Sequence, residues 1–290
     1  MEGNTSLTNC KNPEEVFECT VADGSRKASC RTAALAGLSF LAGAYIALGG
    51  FFSIRAGSTF PAEIWGAAGK LAAAAVFPVG LMLVLLCGAN LFTGNSMNLT
   101  AAFSRKKIGV CLLLRGGTLA WVGNFAGALF VAYAMACLSG LIFETATIQG
   151  SPKMPMAAYV VNLTNMKCHL GFMEAFWRGV GCNWLVCLSI YAAASASHVS
   201  GKILALWLPV SAFVALGMEH CIANMFFIPL GIWTGSDARY LSFEGANLPI
   251  LNATWTEFFW NNLLPVTLGN IAGGALLVAG IYALIYRKKK

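Results

Sequence analysis

Two apolar runs of this chain, residues 71–102 and 203–233, exceed the length of one membrane crossing, and small and polar residues interrupt each of them. The first interruption is Gly88-Ala-Asn-Leu-Phe-Thr-Gly-Asn95 and the second is Gly217-Met-Glu-His-Cys-Ile-Ala-Asn224. Backbone that leaves the helix at membrane depth is tolerated only where it is buried in protein or lines a cavity. Four further apolar runs lie near 31–54, 108–142, 171–198 and 258–286. Each of the six is long enough to span, which takes about 20 residues. The expected fold is therefore an all-α integral membrane protein with six transmembrane helices, the second and fifth broken. Broken spans in corresponding positions of two halves point to a transport site.

Composition agrees with a lipid setting: 58% of the 290 residues are hydrophobic and 11% are charged, against about 25% charged in a soluble domain. Residues 1–30 are polar and contain no apolar signal core, so the first span itself must direct insertion. Of the 19 basic residues, 13 fall on the side that would hold both termini, among them Arg105, Lys106, Lys107, Arg115 and the Arg287–Lys290 tail. By the positive-inside rule both termini are cytoplasmic, in a multi-pass protein of the cell (inner or plasma) membrane. Residues 1–30 then form a cytoplasmic N-terminal segment and 31–286 a single six-span channel domain. Residues 287–290 form a basic tail that meets anionic membrane lipids. The net charge of +7 calls for no nucleic-acid partner. Seven of the ten cysteines lie in or beside apolar runs, where a thiol acts as a small hydrophobe. No Cys/His spacing suits a metal, and no cofactor is expected.

The two halves echo each other. Val122-Gly-Asn-Phe-Ala-Gly127 in the third span matches Leu268-Gly-Asn-Ile-Ala-Gly273 in the sixth. Three spans per copy place the copies in opposite orientation, so the repeat is inverted. The Gly-x-x-x-Gly spacing in each copy lets helices approach closely. The adjacent Asn124 and Asn270 either hold the broken backbone of a neighbouring span or act as plain interhelical glue.

Several polar residues inside the runs carry the chemistry. Gly94 has access to backbone angles closed to other residues, so the helix is expected to stop there, and Thr93 turns its hydroxyl either into the resulting cavity or back onto its own helix. His220 can stay neutral at mid-membrane and still exchange a proton. Glu219 is read as structural, a carboxylate bonded to the ends of the broken backbone and kept from the lumen. Lys167, placed at the outer end of the fourth span, is either a funnel cation or an interfacial snorkelling residue. Arg178 either pairs with a carboxylate or snorkels at a subunit boundary. Leu81, Leu91, Phe213 and Val186 are candidates for dry constrictions, which hydrated ions cross only at high cost.

Gly88-Ala-Asn-Leu-Phe-Thr-Gly-Asn95, Cys182-Asn-Trp-Leu-Val-Cys187, Glu219-His-Cys-Ile-Ala-Asn-Met225 and Asn262-Leu-Leu-Pro-Val-Thr-Leu-Gly-Asn270 together resemble the formate/nitrite transporter family. The resemblance covers about residues 30–286. It implies an aquaporin-like protomer in a homopentamer, each subunit with its own pore, and substrates such as formate, nitrite, hydrosulfide, acetate or lactate. It places the family's central histidine on His220, its mobile threonine on Thr93 and its vestibule lysine on Lys167. Constrictions fall on Leu81, Leu91, Phe92, Phe213 and Val186, and supporting polar residues on Asn183, Glu219 and Asn224. The sequence is thus read as a channel or proton-linked transporter for small monovalent weak-acid anions, formate favoured over nitrite and hydrosulfide. A neutral-solute channel and a membrane enzyme using His220 and Glu219 are the competing readings.

Overall fold

The computed structural model describes residues 10–245 and 248–287 of the chain. It is a helical bundle, entered through a helix that the polar composition of residues 1–30 does not announce. This helix, α1 (Pro13–Ala28), starts at a capping box in which the Asn12 side chain accepts from Glu15 N–H and Glu15 returns the bond, with Pro13 in the first turn. Then come α2 (Thr32–Ser58), α3 (Ala62–Trp65), α4 (Ala68–Val76), α5 (Val79–Leu86), α6 (Phe92–Ser104) and α7 (Val110–Phe130), which runs on into a π-helical stretch, Val131–Leu138. A short hairpin of β1 (Ala146–Ile148) and β2 (Ser151–Lys153), with Thr147 opposite Pro152, leads to α8 (Pro155–Cys168). The second half contains α9 (Phe172–Ser195), α10 (Val199–Leu216), α11 (Cys221–Ser236), and the short α12 (Ala238–Leu241) and α13 (Trp255–Glu257). The last long segment includes α14 (Leu264–Ile271) and α15 (Ile281–Ile285), with π-helical turns at Phe258–Leu263 and Ala272–Gly280.

Among the described residues, five helical segments are long and apolar enough to cross a membrane: Thr32–Ser58, Ala68–Leu86, Val110–Leu138, Val199–Leu216 and Trp255–Ile285. The run 171–198 corresponds to α9, which has the length, 24 residues, but is not among the five because Arg178, Asn183 and its small residues dilute its hydropathy. Helices α6 and α11 are shorter, 13 and 16 residues.

Close approach of small residues sets the packing. A Cβ added at Gly127 of α7 would lie 1.9 Å from Phe40 O of α2, and one at Gly269 of α14 would lie 2.2 Å from Phe176 O of α9. The paired Gly-x-x-x-Gly motifs therefore hold backbone against backbone in both halves.

The long run 71–102 breaks between α5 and α6, and the run 203–233 between α10 and α11, so both interruptions leave the helix. The two breaks are built alike. Gly88 and Gly217 take φ of +77° and +74°, the left-handed geometry that ends a helix most cheaply at glycine. The next amide in each folds back over the end of its helix, Ala89 N to Val84 O and Met218 N to Phe213 O. One residue further on, Asn90 N bonds Leu38 O of α2 and Glu219 N bonds Arg178 O of α9. Gly94, by contrast, lies inside α6. The helix does not stop there, because Gly88, six residues earlier, supplies the turn.

Candidate functional site

Each break is pinned by one asparagine from the neighbouring helix. Asn124 of α7 accepts a hydrogen bond from Phe92 N–H (2.9 Å) and donates to Ser39 O (2.7 Å) and Asn90 O (3.0 Å). Asn270 of α14 accepts from Cys221 N–H (2.9 Å) and donates to Gly179 O (2.8 Å) and Glu219 O (3.0 Å). Both side chains are fully buried. They satisfy amides and carbonyls that the loss of helix would otherwise strand in an apolar interior.

With the breaks fixed, the first turns of α6 and α11 meet. Thr93 Oγ1 lies 3.1 Å from His220 Nε2. His220 is also the N-cap of α11, its Nδ1 accepting from Ala223 N–H at 3.1 Å. An Nδ1 that accepts cannot carry the proton of a neutral imidazole, so that proton sits on Nε2 and is donated to the Thr93 hydroxyl oxygen. The hydroxyl hydrogen is thereby left to donate elsewhere. Two helix N-termini converge on this contact, and their dipoles favour negative charge beside it.

The carbonyl of Thr93 is held from α9, by Asn183 Nδ2 at 3.2 Å and by the Cys187 thiol at 3.5 Å. Asn183 Nδ2 also reaches Ser96 Oγ (2.8 Å) and Asn270 O (2.5 Å), so a single amide ties the first broken helix to the pin of the second.

From one side a cavity of about 520 Å³ descends to His220. Phe213 forms part of its wall, its ring stacked on the imidazole with centroids 5.9 Å apart, and Phe77 closes edge-on against Phe213 at 5.8 Å. Lys167, Glu219 and Asn224 line the same cavity; Thr93, Asn183, Leu81, Leu91, Phe92 and Val186 do not. Thr93 is fully buried behind His220, and Leu81, Leu91, Phe92, Val186 and Phe213 belong to one continuous buried apolar cluster.

Two placements differ from those read in the sequence. Lys167 sits in the last turn of α8, a helix separate from the fourth apolar run. Its ammonium lies 2.8 and 3.0 Å from the two carboxylate oxygens of Glu219. The Glu219 side chain does not bond the ends of the broken backbone, a role that belongs to Asn270, and it lines the cavity rather than being kept from it. The carboxylate instead faces Lys167, Asn224 Nδ2 (2.6 Å) and Asn262 Nδ2 (3.2 Å), and Asn224 Nδ2 also donates to Asn262 Oδ1 (2.7 Å). Such a network is what a carboxylate only 4% exposed requires. Asn262, given no role above, completes it by donating to Lys167 O at 3.0 Å. Its signal was a polar side chain inside an apolar run. Arg178 pairs with Glu174 one turn earlier and also reaches Gly217 O at 3.4 Å.

The model of the formate/nitrite transporter family matches residues 14–284. The chain belongs to the formate/nitrite transporter family. A probable formate transporter of Methanothermobacter thermautotrophicus is 40% identical over 286 residues, covering 96% of this chain and 98% of the relative. A formate channel of Bacillus thuringiensis is 36% identical over 277 residues, covering 96% of each. Among solved structures, a pentameric formate channel with formate bound superposes with a TM-score of 0.75 at 31% identity, covering 89% of this chain and 98% of that one. An ion channel of the same family superposes at 0.78 with 28% identity, covering 93% and 98%. Formate/nitrite transporters are channels and transporters, so the membrane-enzyme reading falls. Family membership and the apolar helices together make this a multi-pass membrane protein.

Proposed function

We propose that this chain carries formate and similar weak-acid anions, together with a proton, through a pathway within each subunit of a homopentamer. The observation that carries the reading is the Thr93–His220 contact, made where the two broken helices meet at the floor of the cavity. The relatives named as formate transporters and channels favour formate over nitrite and hydrosulfide. The protomer is read as six spans in two inverted three-helix repeats of aquaporin-like form. The shared hydrogen-bond plan of the two breaks supports that reading. The distribution of lysine and arginine supports cytoplasmic termini, which puts the cavity on the outer side.

An anion entering the cavity meets Lys167, held by Glu219, and then the Phe213 ring, against which its water is removed. At the floor, Nε2–H of His220 holds the Thr93 hydroxyl oxygen, and the hydroxyl hydrogen of Thr93 is the donor offered in exchange. Beyond them, Leu81, Leu91, Phe92 and Val186 form an apolar barrier. A neutral acid crosses such a barrier far more cheaply than its anion, so anion and proton pass together. Asn183, Asn224, Asn124, Asn270 and Glu219 serve as supports, and Gly94 keeps α6 slim beside Ile190, which a Cβ there would approach to 3.0 Å.

The test is competition flux in proteoliposomes with formate, nitrite, hydrosulfide and lactate across a range of pH. Formate uptake should rise as pH falls, and His220→Ala or His220→Phe should change that dependence. An unchanged pH profile in both variants would remove the proton-linked role from His220.

A further inference from the structure

The cavity above His220 holds three cations, Lys70, Lys167 and Arg178, and they are not equivalent. Lys167 is bonded to both oxygens of Glu219, itself a wall residue, so this pair presents little net charge to an approaching ion. Arg178 shares its charge with Glu174. Lys70, exposed in the first turn of α4, has no hydrogen-bond or ion-pair partner among the described residues. Yet it does not point away from the site. Its Nζ lies 3.5 Å from the position a Cβ on Gly217 would take, and Gly217 O accepts from Arg178. Two cations from different helices therefore converge on the glycine that opens the second break, three residues before His220. Arg178 is partnered by Glu174, so the Lys70 charge is the one left uncompensated at this spot among the described residues.

We propose that Lys70, with Arg178 beside it, is a further cation that draws monovalent anions into this cavity ahead of Lys167. The inference rests on the transport reading above. Lys70 is a recruiting residue, so its effect belongs in half-saturation and not in the maximal rate. Like any exposed charge, it is screened by salt.

The test compares wild type, Lys70→Gln and Lys70→Arg in vesicles of neutral lipid, measuring initial anion flux against concentration. One series uses about 0.01 M salt, where the Debye length is about 30 Å, and the other about 1 M, where it is about 3 Å. In low salt Lys70→Gln should raise the half-saturating formate concentration about three- to tenfold, the size expected for one nearby charge at intermediate dielectric. The maximal rate should stay within about twofold and the thermal stability unchanged. Lys70→Arg should behave as wild type, and the difference should close in high salt. Wild-type half-saturation in Lys70→Gln at low salt overturns the inference, as does a loss that persists in high salt or that Lys70→Arg does not rescue. An effect confined to vesicles with anionic lipid would assign Lys70 to the lipid surface and also overturn it. If the wild type moves nitrite or hydrosulfide but not formate, the formate reading fails, and the same comparison run with that anion still decides the role of Lys70.

Discussion

Asn124 and Asn270 do the same work in the two halves, each bonding one amide and one carbonyl at a break and one carbonyl of the neighbouring intact helix. Truncation to alanine strands one amide and one carbonyl at the break, each worth about 1–3 kcal/mol when left unsatisfied in the interior. Asn124→Ala and Asn270→Ala should therefore each cost about 2 kcal/mol or more, read as a fall in the unfolding midpoint in detergent. A loss below about 0.5 kcal/mol in either would show that the pin is dispensable. The ion pair of Lys167 and Glu219 responds differently. Removing one partner leaves a buried charge alone, and such losses run to about 3–5 kcal/mol. Lys167→Ala should thus be markedly less stable than Lys167→Ala combined with Glu219→Gln, the double variant recovering most of the loss. Here the sequence was only half legible. The asparagines stood out because they recur beside the same glycine motif. The partner of Glu219 did not, since Lys167 lies 52 positions away on a helix of its own.

Among the elements, α1 shows what composition conceals. Its segment is polar overall, but Val16, Phe17, Thr20, Val21, Gly24 and Ala28 are buried, and Arg105 at the end of α6 lies over the Phe17 ring, 5.0 Å from its centroid. The capping box at Asn12 and Glu15 was the available signal. Asp23 fastens the helix to α6 by accepting from Asn98 Nδ2 at 2.6 Å. Burial raises the pKa of this carboxyl, but the charge of Lys27 and hydrogen bonds from Lys27 and Arg26 outweigh it, so the value lies below the ordinary one. A lowered carboxyl stabilises the docked helix fully above its unfolded pKa, about 3.9, and that contribution disappears as pH falls through the folded value. Protection of the amides of residues 13–28, measured against the unstructured exchange rate at the same pH, should therefore be high at pH 7 and fall below about pH 4. In Asp23→Asn exchange should already be faster at pH 7 and should lose this pH dependence. The breaks were more legible than α1, because a polar interruption in an apolar run has few physical explanations. The turning residue was harder to choose: Gly88 and Gly94 offer the same freedom, and only the folded chain shows which one uses it.

At the scale of the whole molecule, the cavity, both breaks and the apolar cluster beneath them belong to one chain. Large apolar side chains such as Trp177, Leu208 and Trp260 stand exposed on that chain at 63%, 77% and 64%. Exposed apolar area of this kind is covered by lipid or by a neighbouring subunit. In mild detergent the protein should then run with a protein mass about five times the 30.7 kDa of one chain, in keeping with the pentameric formate channel it resembles. If every subunit conducts alone, mixing determines how flux is lost. Co-expressing wild type with a variant of reduced flux, such as Thr93→Val, and reconstituting at a fixed number of pentamers should give rates on a straight line between the two pure proteins. A pathway shared along the five-fold axis would give a different curve, because one altered subunit would then affect conduction by all five. Steep loss at a low variant fraction would move the pathway out of the protomer, and the Thr93–His220 contact would lose its role as the pore centre.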